Sequence, residues 1–150
     1  MIKKIILITF FSFLFSSCDY TPIYSTNNFD YFIEDISFDG DIELNNLIDK
    51  KIKKFQSNNS SKKFKIKTSS SYTKISQSKD KTGKTTDFKI FINVKFEIQN
   101  QKESKTLIVN EDFLMKNFTN NFEEQKFEKI KKDNITDLII NKLLIQLSLM

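Results

Sequence analysis

Hydrophobic and polar residues alternate most regularly in the middle of the chain. Every second position from 88 to 98 is apolar, with Phe88, Ile90, Ile92, Val94, Phe96 and Ile98 in turn. Because successive side chains of a strand point to opposite faces of a sheet, this alternation predicts a long strand with one buried face. Weaker alternation predicts strands at 62–78 and 104–116, joined to it by tight turns at 79–84 and 100–103.

The strand predicted at 62–78 separates its apolar and charged residues by parity. One parity carries three apolar residues and the other three lysines, namely Phe64, Ile66 and Tyr72 against Lys63, Lys65 and Lys67. Ile75 departs from this parity, which predicts a β-bulge near it. The pattern therefore predicts a sheet with one apolar face and one polar face.

Two segments have apolar residues at helical spacing. The first is 42–56, with Asp41 as its N-cap and an apolar stripe of Ile42, Leu44, Leu47, Ile48, Ile52 and Phe55. The second is 122–148, with Asn121 and Glu124 as a variant of the capping box. Its predicted stripe is Phe127, Ile130, Ile135, Leu138, Ile139, Leu143 and Leu147.

The elements follow one another in β-α-β-β-β-α order, since a first strand is predicted from Tyr31 to Phe38, before Asp39-Gly40. This order predicts an α+β fold, a two-layer sandwich in which two helices cover the apolar face of a mostly antiparallel four-stranded sheet. Residues 31–150 would form this single domain, and 18–30 would form an irregular tether.

The N-terminus has the features of a bacterial lipoprotein signal peptide. Lys3 and Lys4 precede an apolar core at 5–15, and small residues then lead to Cys18. The core is too short for a membrane-spanning helix, which needs about 20 residues. We therefore predict a signal peptide at 1–17 that is removed before Cys18. A plain N-terminal anchor, or a secreted protein with an incidental cysteine, are the alternatives.

Cys18 is the only cysteine of the chain and is the predicted lipidation site. Its thiol would carry a diacylglyceryl group, and its new amine a fatty acyl chain such as palmitate. Because each buried CH₂ contributes ~0.8 kcal/mol, such acylation would hold the mature chain on a membrane. The mature chain would then contain no free thiol and no disulfide.

The composition argues against most catalytic chemistries. The chain has no histidine, so it lacks Ser–His and Cys–His nucleophile pairs and histidine-ligated metal sites. Gly40 and Gly83 are its only glycines, which leaves no glycine-rich phosphate loop. The paired carboxylates are interpreted as acidic residues of turns and of helix N-termini. We therefore expect neither an enzyme, nor a cofactor, nor a metal site. The pI of 9.1 would suit nucleic acid, but the signal peptide argues against that partner.

The start of the predicted mature chain resembles that of the LptE family of lipopolysaccharide-assembly lipoproteins. Residues 18–24 read Cys-Asp-Tyr-Thr-Pro-Ile-Tyr, where alphaproteobacterial members begin Cys-Gly-Phe-x-Pro-Leu-Tyr. Cys18, Pro22 and Tyr24 are identical, and Asp19 replaces the glycine. The resemblance extends over the mature chain in length and element order.

This resemblance implies an outer-membrane lipoprotein that faces the periplasm. Family members plug the lumen of the LptD β-barrel translocon, help that barrel to assemble and bind lipopolysaccharide. Asp19 leaves the inner membrane as an alternative, because Asp after the lipidated cysteine retains enterobacterial lipoproteins there. The alternative function is a periplasmic lipoprotein that binds a soluble ligand.

Four lysines are the candidate ligand-binding residues. The predicted hairpin would bring Lys63, Lys65 and Lys67 opposite the stretch 95–99, and together with Lys89 and Lys95 they would form a cationic strip facing away from the helices. Lys65, Lys67, Lys89 and Lys95 of this strip are the four candidates. Ammonium groups bind phosphate as point charges, so the strip would suit lipopolysaccharide. The alternative is a solvated surface, because lysine is the only cation that this chain uses.

Overall fold

A computed structural model describes residues 31–55, 60 and 62–150. The predicted signal peptide 1–17, the lipidation site Cys18 and the tether 18–30 lie outside the described residues. The elements are, in chain order, strand β1 (Phe32–Gly40), helix α1 (Ile42–Ile52), a 3₁₀ turn (Lys53–Phe55), strands β2 (Lys63–Lys79), β3 (Thr85–Gln99) and β4 (Ser104–Lys116), and helix α2 (Asn121–Ser148).

The four strands form one open mixed sheet in the order β1-β2-β3-β4. β1 runs parallel to β2 because α1 carries the chain back across the sheet, whereas β2–β3 and β3–β4 are antiparallel hairpins. Both helices contribute to a single buried core on one face of this sheet. The predicted order and the two-layer α+β sandwich are confirmed.

The core is built from alternate residues of the strands and from one side of each helix. The strand side chains that are almost fully buried include Phe64, Ile66, Ile90, Ile92, Val94, Phe96, Ile98, Val109 and Met115. The helices cover them with Leu44, Ile48, Ile52, Ile139, Leu143 and Leu147. Each such side chain contributes about 1.5–3 kcal/mol through burial, so the alternation seen in the sequence is the main source of stability.

The connection from β1 to α1 depends on close backbone contact with β2. Gly40 has a φ of +96°, and the amide of the next residue, Asp41, donates to the carbonyl of Ser70 at 3.2 Å. The Asp41 carboxylate caps α1, as predicted, by accepting from the Leu44 amide at 2.8 Å. The Ser70 hydroxyl donates to the Asn45 side chain at 2.7 Å, which fastens the first turn of α1 to β2.

The irregularity predicted near Ile75 is present. The pairing of β2 with β3 shifts between Ser76 and Ser78, directly after Ile75. Ile75 itself points to the sheet face away from the helices and is exposed. The shift lies in the part of the hairpin that approaches its turn.

One prediction about α2 is wrong, and another is confirmed only in part. Its N-cap is Asn120, whose side chain accepts from the Phe122 amide at 2.9 Å, because Asn121 already has helical geometry. Five of the seven residues of the predicted stripe pack in or against the core, namely Phe127, Ile135, Ile139, Leu143 and Leu147. The other two are exposed, Ile130 by 50% and Leu138 by 39%, because apolar residues surround the C-terminal half of α2 and spacing alone did not fix the edges of its buried side.

The side of α2 that packs on the sheet consists of Lys132, Thr136, Ile139, Ile140, Leu143, Leu144 and Leu147. The Thr136 hydroxyl donates to the Lys132 carbonyl one turn earlier at 2.7 Å, which satisfies it within the helix. Within the described part of the chain, neither helix combines the length and apolar character that crossing a membrane requires.

Candidate ligand-binding face of the sheet

The four predicted ligand-binding lysines lie on the sheet face that points away from the helices. In the β2–β3 pairing, Lys65 is opposite Gln99 and Lys67 is opposite Glu97. Lys89 and Lys95 share the same face because they occupy the odd positions of β3, between its buried even positions. The structure therefore brings the four lysines onto one surface.

Three of these lysines have a carboxylate beside them. The distances from Nζ to carboxylate oxygen are 3.8 Å for Lys65–Glu34, 3.1 Å for Lys89–Asp112 and 2.5 Å for Lys95–Glu97. The hydrogen bond from Lys95, followed by its positive charge, lowers the pKa of Glu97. Exposed pairs of this kind contribute little to stability because solvent screens them, so the carboxylates can be displaced. The strip is thus a surface of alternating charge, which the lysine pattern alone did not reveal.

The face is less uniformly polar than the sequence predicted. Its middle carries small hydroxyl and amide side chains, and Asn93 donates to Ser71 at 3.3 Å across the β2–β3 pair. Ile108 and Leu114 of β4 are also exposed, and they lie on the same face as Lys89 and Lys95. The prediction of a wholly polar face was wrong because the apolar residues of β4 are divided between its two sides.

The turn between β2 and β3 is held by one carboxylate. Asp80 accepts from the Thr82 amide at 2.8 Å, the Thr82 hydroxyl at 2.6 Å and the Lys84 amide at 3.0 Å. The bond from the Thr82 hydroxyl is the largest of the effects that lower the pKa of Asp80. Gly83, with a φ of +84°, completes the turn as its sequence predicted. The hairpin tip is therefore an ordered, fully exposed structure.

A second group of charged residues lies between the sheet and α2. The Tyr72 hydroxyl donates to Glu128 at 2.5 Å, and the Lys74 ammonium donates to Glu124 at 2.5 Å and to Glu128 at 3.2 Å. Burial is the largest cause that raises the pKa of Tyr72, and the bond to Glu128 adds to it. Burial would raise the pKa of Glu128, but the bonds from Tyr72 and Lys74 outweigh it, and the pKa is lowered.

Lys132 connects this group to α1. Only 5% of its surface is exposed, and its ammonium lies 2.5 Å from Glu43, 3.9 Å from Glu128 and 4.1 Å from the centre of the Tyr72 ring. Tyr72, Lys74, Glu124, Glu128, Lys132 and Glu43 together form what we call the helix–sheet network. The sequence signal for it was Lys74, a lysine on the apolar parity of β2. This arrangement links α2 to β2 and to α1 through charged hydrogen bonds.

Comparison with known proteins shows the fold without assigning a family. No protein-family model matches the chain, and neither does any curated protein sequence. The crystal structure of the rare lipoprotein B from Shewanella oneidensis is 12% identical with a TM-score of 0.52, covering 75% of this chain and 95% of its own. The solution structure of an uncharacterized lipoprotein B from Nitrosomonas europaea is 10% identical with a TM-score of 0.54, covering 80% and 88%. The chain therefore has the fold of these two lipoproteins, and membership of the LptE family stays a prediction.

Proposed function

We propose that the protein is an outer-membrane lipoprotein that faces the periplasm and assists lipopolysaccharide assembly as the plug and assembly partner of an LptD-type β-barrel. The observation that carries this proposal is the stretch 18–24 directly after a signal-peptide pattern. The fold is shared with two bacterial proteins that are named lipoproteins, which supports a lipid anchor on this chain as well.

The shape of the domain is compatible with a place inside a barrel. β2 has 17 residues, which corresponds to a strand of roughly 55 Å. The sheet face away from the helices is mostly polar, and barrel lumens are polar as well. A polar face of this length can pack against the polar wall of a barrel lumen, while the apolar core stays buried between the sheet and the helices.

Purification from membranes tests the proposed partner. The full chain is expressed with a C-terminal tag, the outer and inner membranes are separated by density, and each fraction is solubilised in mild detergent. We expect a β-barrel protein to co-purify from the outer-membrane fraction. Recovery from the inner membrane alone would contradict the localisation, and a bound small metabolite without a barrel would favour a soluble-ligand-binding lipoprotein.

The anchor makes a separate prediction. Cys18→Ser is expected to leave an uncleaved, unlipidated precursor, because diacylglyceryl transfer needs the thiol. Mass spectrometry of the wild-type membrane form should then find a mature chain that begins with an acylated residue 18. A free N-terminus at another residue would contradict the lipoprotein assignment.

The lysine strip makes a prediction about lipopolysaccharide. Replacing Lys65, Lys67, Lys89 and Lys95 by Gln is expected to weaken binding by about tenfold at low salt and to flatten its salt dependence, since exposed charge contacts are screened. The measurement is binding of the purified chain to labelled lipopolysaccharide over a salt series.

A matched control removes the same charge from the helix layer. Lys50, Lys54, Lys126 and Lys129 are exposed residues of α1, its 3₁₀ extension and α2, and their replacement by Gln is expected to leave binding nearly unchanged. Equal losses in the two variants would mean that net charge, and not the strip, governs the interaction.

A further inference from the structure

The end of the domain where β1 begins contains an open pocket of about 290 Å³. It is formed by residues that are far apart in the sequence, namely Lys62, Lys63, Asn100, Gln101, Lys102 and Met150. We call it the tether-side pocket, because Phe32 pairs with Lys63 at the start of β1, and the chain from residue 30 backwards leaves the described domain at this end.

Three of the six residues that line the pocket are lysines, and none of the six has a carboxylate side chain. Lys62, Lys63 and Lys102 line it, and within the part of the chain that the structure describes none of them forms an ion pair. Their neighbours differ, since Lys65 faces Glu34 at 3.8 Å and Lys105 faces Glu103 at 3.5 Å. A bound anion can interact favourably with the ammonium groups of these lysines.

The backbone on both sides of the pocket is held in place. The Asn100 side chain accepts from the amides of Lys102 and Glu103, each at 2.8 Å, which fixes the β3–β4 turn. On the other side, the Phe32 amide donates to the Lys62 carbonyl at 2.7 Å. The three lysines therefore start from ordered backbone positions, so little backbone entropy is lost when they gather around a ligand.

The position of the pocket indicates which anion it meets. Twelve residues separate Cys18 from Tyr31, and a segment of that length reaches at most about 40 Å. An acylated Cys18 would thus hold this end of the domain beside a lipid surface. Leu149, next to Met150 of the pocket, is 70% exposed, and an apolar residue beside lysines is the combination that suits a membrane interface.

We propose that the tether-side pocket binds the phosphate head group of an anionic phospholipid and thereby seats the domain on the membrane that carries its anchor. This inference rests on the lipid anchor of the proposed function. Of the cationic strip it involves only Lys63, at the end of β2 nearest the pocket, and it requires neither the barrel nor lipopolysaccharide.

Lysine labelling on vesicles tests the proposal. The full chain purified from membranes is placed on vesicles of phosphatidylcholine, with or without phosphatidylglycerol, and treated briefly with an amine-reactive reagent before mass spectrometry. With phosphatidylglycerol, labelling of Lys62, Lys63 and Lys102 is expected to fall about threefold or more, because lysines near an anionic surface are attracted to it. The tip lysines Lys79 and Lys81 should not change.

The source of the phosphate is decided by a third sample, in which inorganic phosphate is added to phosphatidylcholine vesicles. Protection there equal to that on phosphatidylglycerol would assign the pocket to free phosphate and overturn the lipid proposal. Equal labelling in all samples, or equal protection of the tip, would also overturn it.

Two variants keep the test independent of folding and of the anchor. Phosphatidylglycerol vesicles are also expected to slow hydrogen exchange of the backbone in the turn 100–103. Replacing Lys62, Lys63 and Lys102 by Gln should abolish that slowing. Replacing Lys79, Lys81 and Lys84 by Gln removes the same charge at the other end of the hairpin and should preserve it. The mass of residue 18 is read from the same samples. If it is not acylated, the proposed function fails, while labelling on phosphatidylglycerol vesicles still decides the pocket.

Discussion

Gly40→Ala is expected to destabilise the domain by about 4 kcal/mol or more. A β-carbon at this position would lie 1.9 Å from the carbonyl oxygen of Ser70, and backbone cannot give way as the end of a flexible side chain can. Relief would require β1 to move away from β2, which would break the bond from the Asp41 amide to the same carbonyl. Urea unfolding of the purified chain measures the loss.

Gly83→Ala is the matched control, since both glycines have a positive φ. Gly83 has a φ of +84°, and a β-carbon there would meet nothing within 4 Å. Its replacement is expected to cost only the backbone strain of the left-handed region, about 1–2 kcal/mol. Similar losses at the two positions would show that the contact with Ser70 does not determine the stability of the β1–α1 connection.

Glu128→Ala is expected to destabilise the domain by about 2–4 kcal/mol, because it removes one acceptor that several half-buried donors share. The Tyr72 hydroxyl loses its partner, Lys74 keeps only Glu124, and Lys132 keeps only Glu43. The lowered pKa of Glu128 adds a pH dependence. Its stabilisation is present above the ordinary carboxylate pKa of about 4.3 and is lost as the pH falls through the lower pKa of the folded state.

Glu97→Ala supplies the comparison for a carboxylate on the open face of the sheet. Glu97 pairs with Lys95 at 2.5 Å, but both side chains are exposed, so its removal is expected to leave stability nearly unchanged. Unfolding curves of both variants between neutral and acidic pH separate the two cases. A Glu128 variant that loses no more stability than the Glu97 variant would show that the helix–sheet network does not anchor α2.

The positions of the helices and strands were predictable from local sequence patterns. Alternation in β3 and β4 depends only on which side of one strand is buried, so it placed these strands to within a few residues. The α1 cap is equally local, since Asp41 bonds to an amide three residues away. Local patterns did not predict which carboxylate lies beside which lysine. Lys89 lies beside Asp112, for example, only because of the register between β3 and β4.

The sequence by itself determined the order of elements, the buried faces of the strands and the candidate anchor at Cys18, because each of these depends on residues close together in the chain. Only the tertiary structure decided the edges of the buried side of α2, since the apolar residues of that helix extend around it and packing buries Lys132 while Leu138 stays 39% exposed. The tether-side pocket also needed the fold. Its lysines come from two separate segments of the chain, and the pairing of β2 with β3 brings these segments to the same end of the sheet.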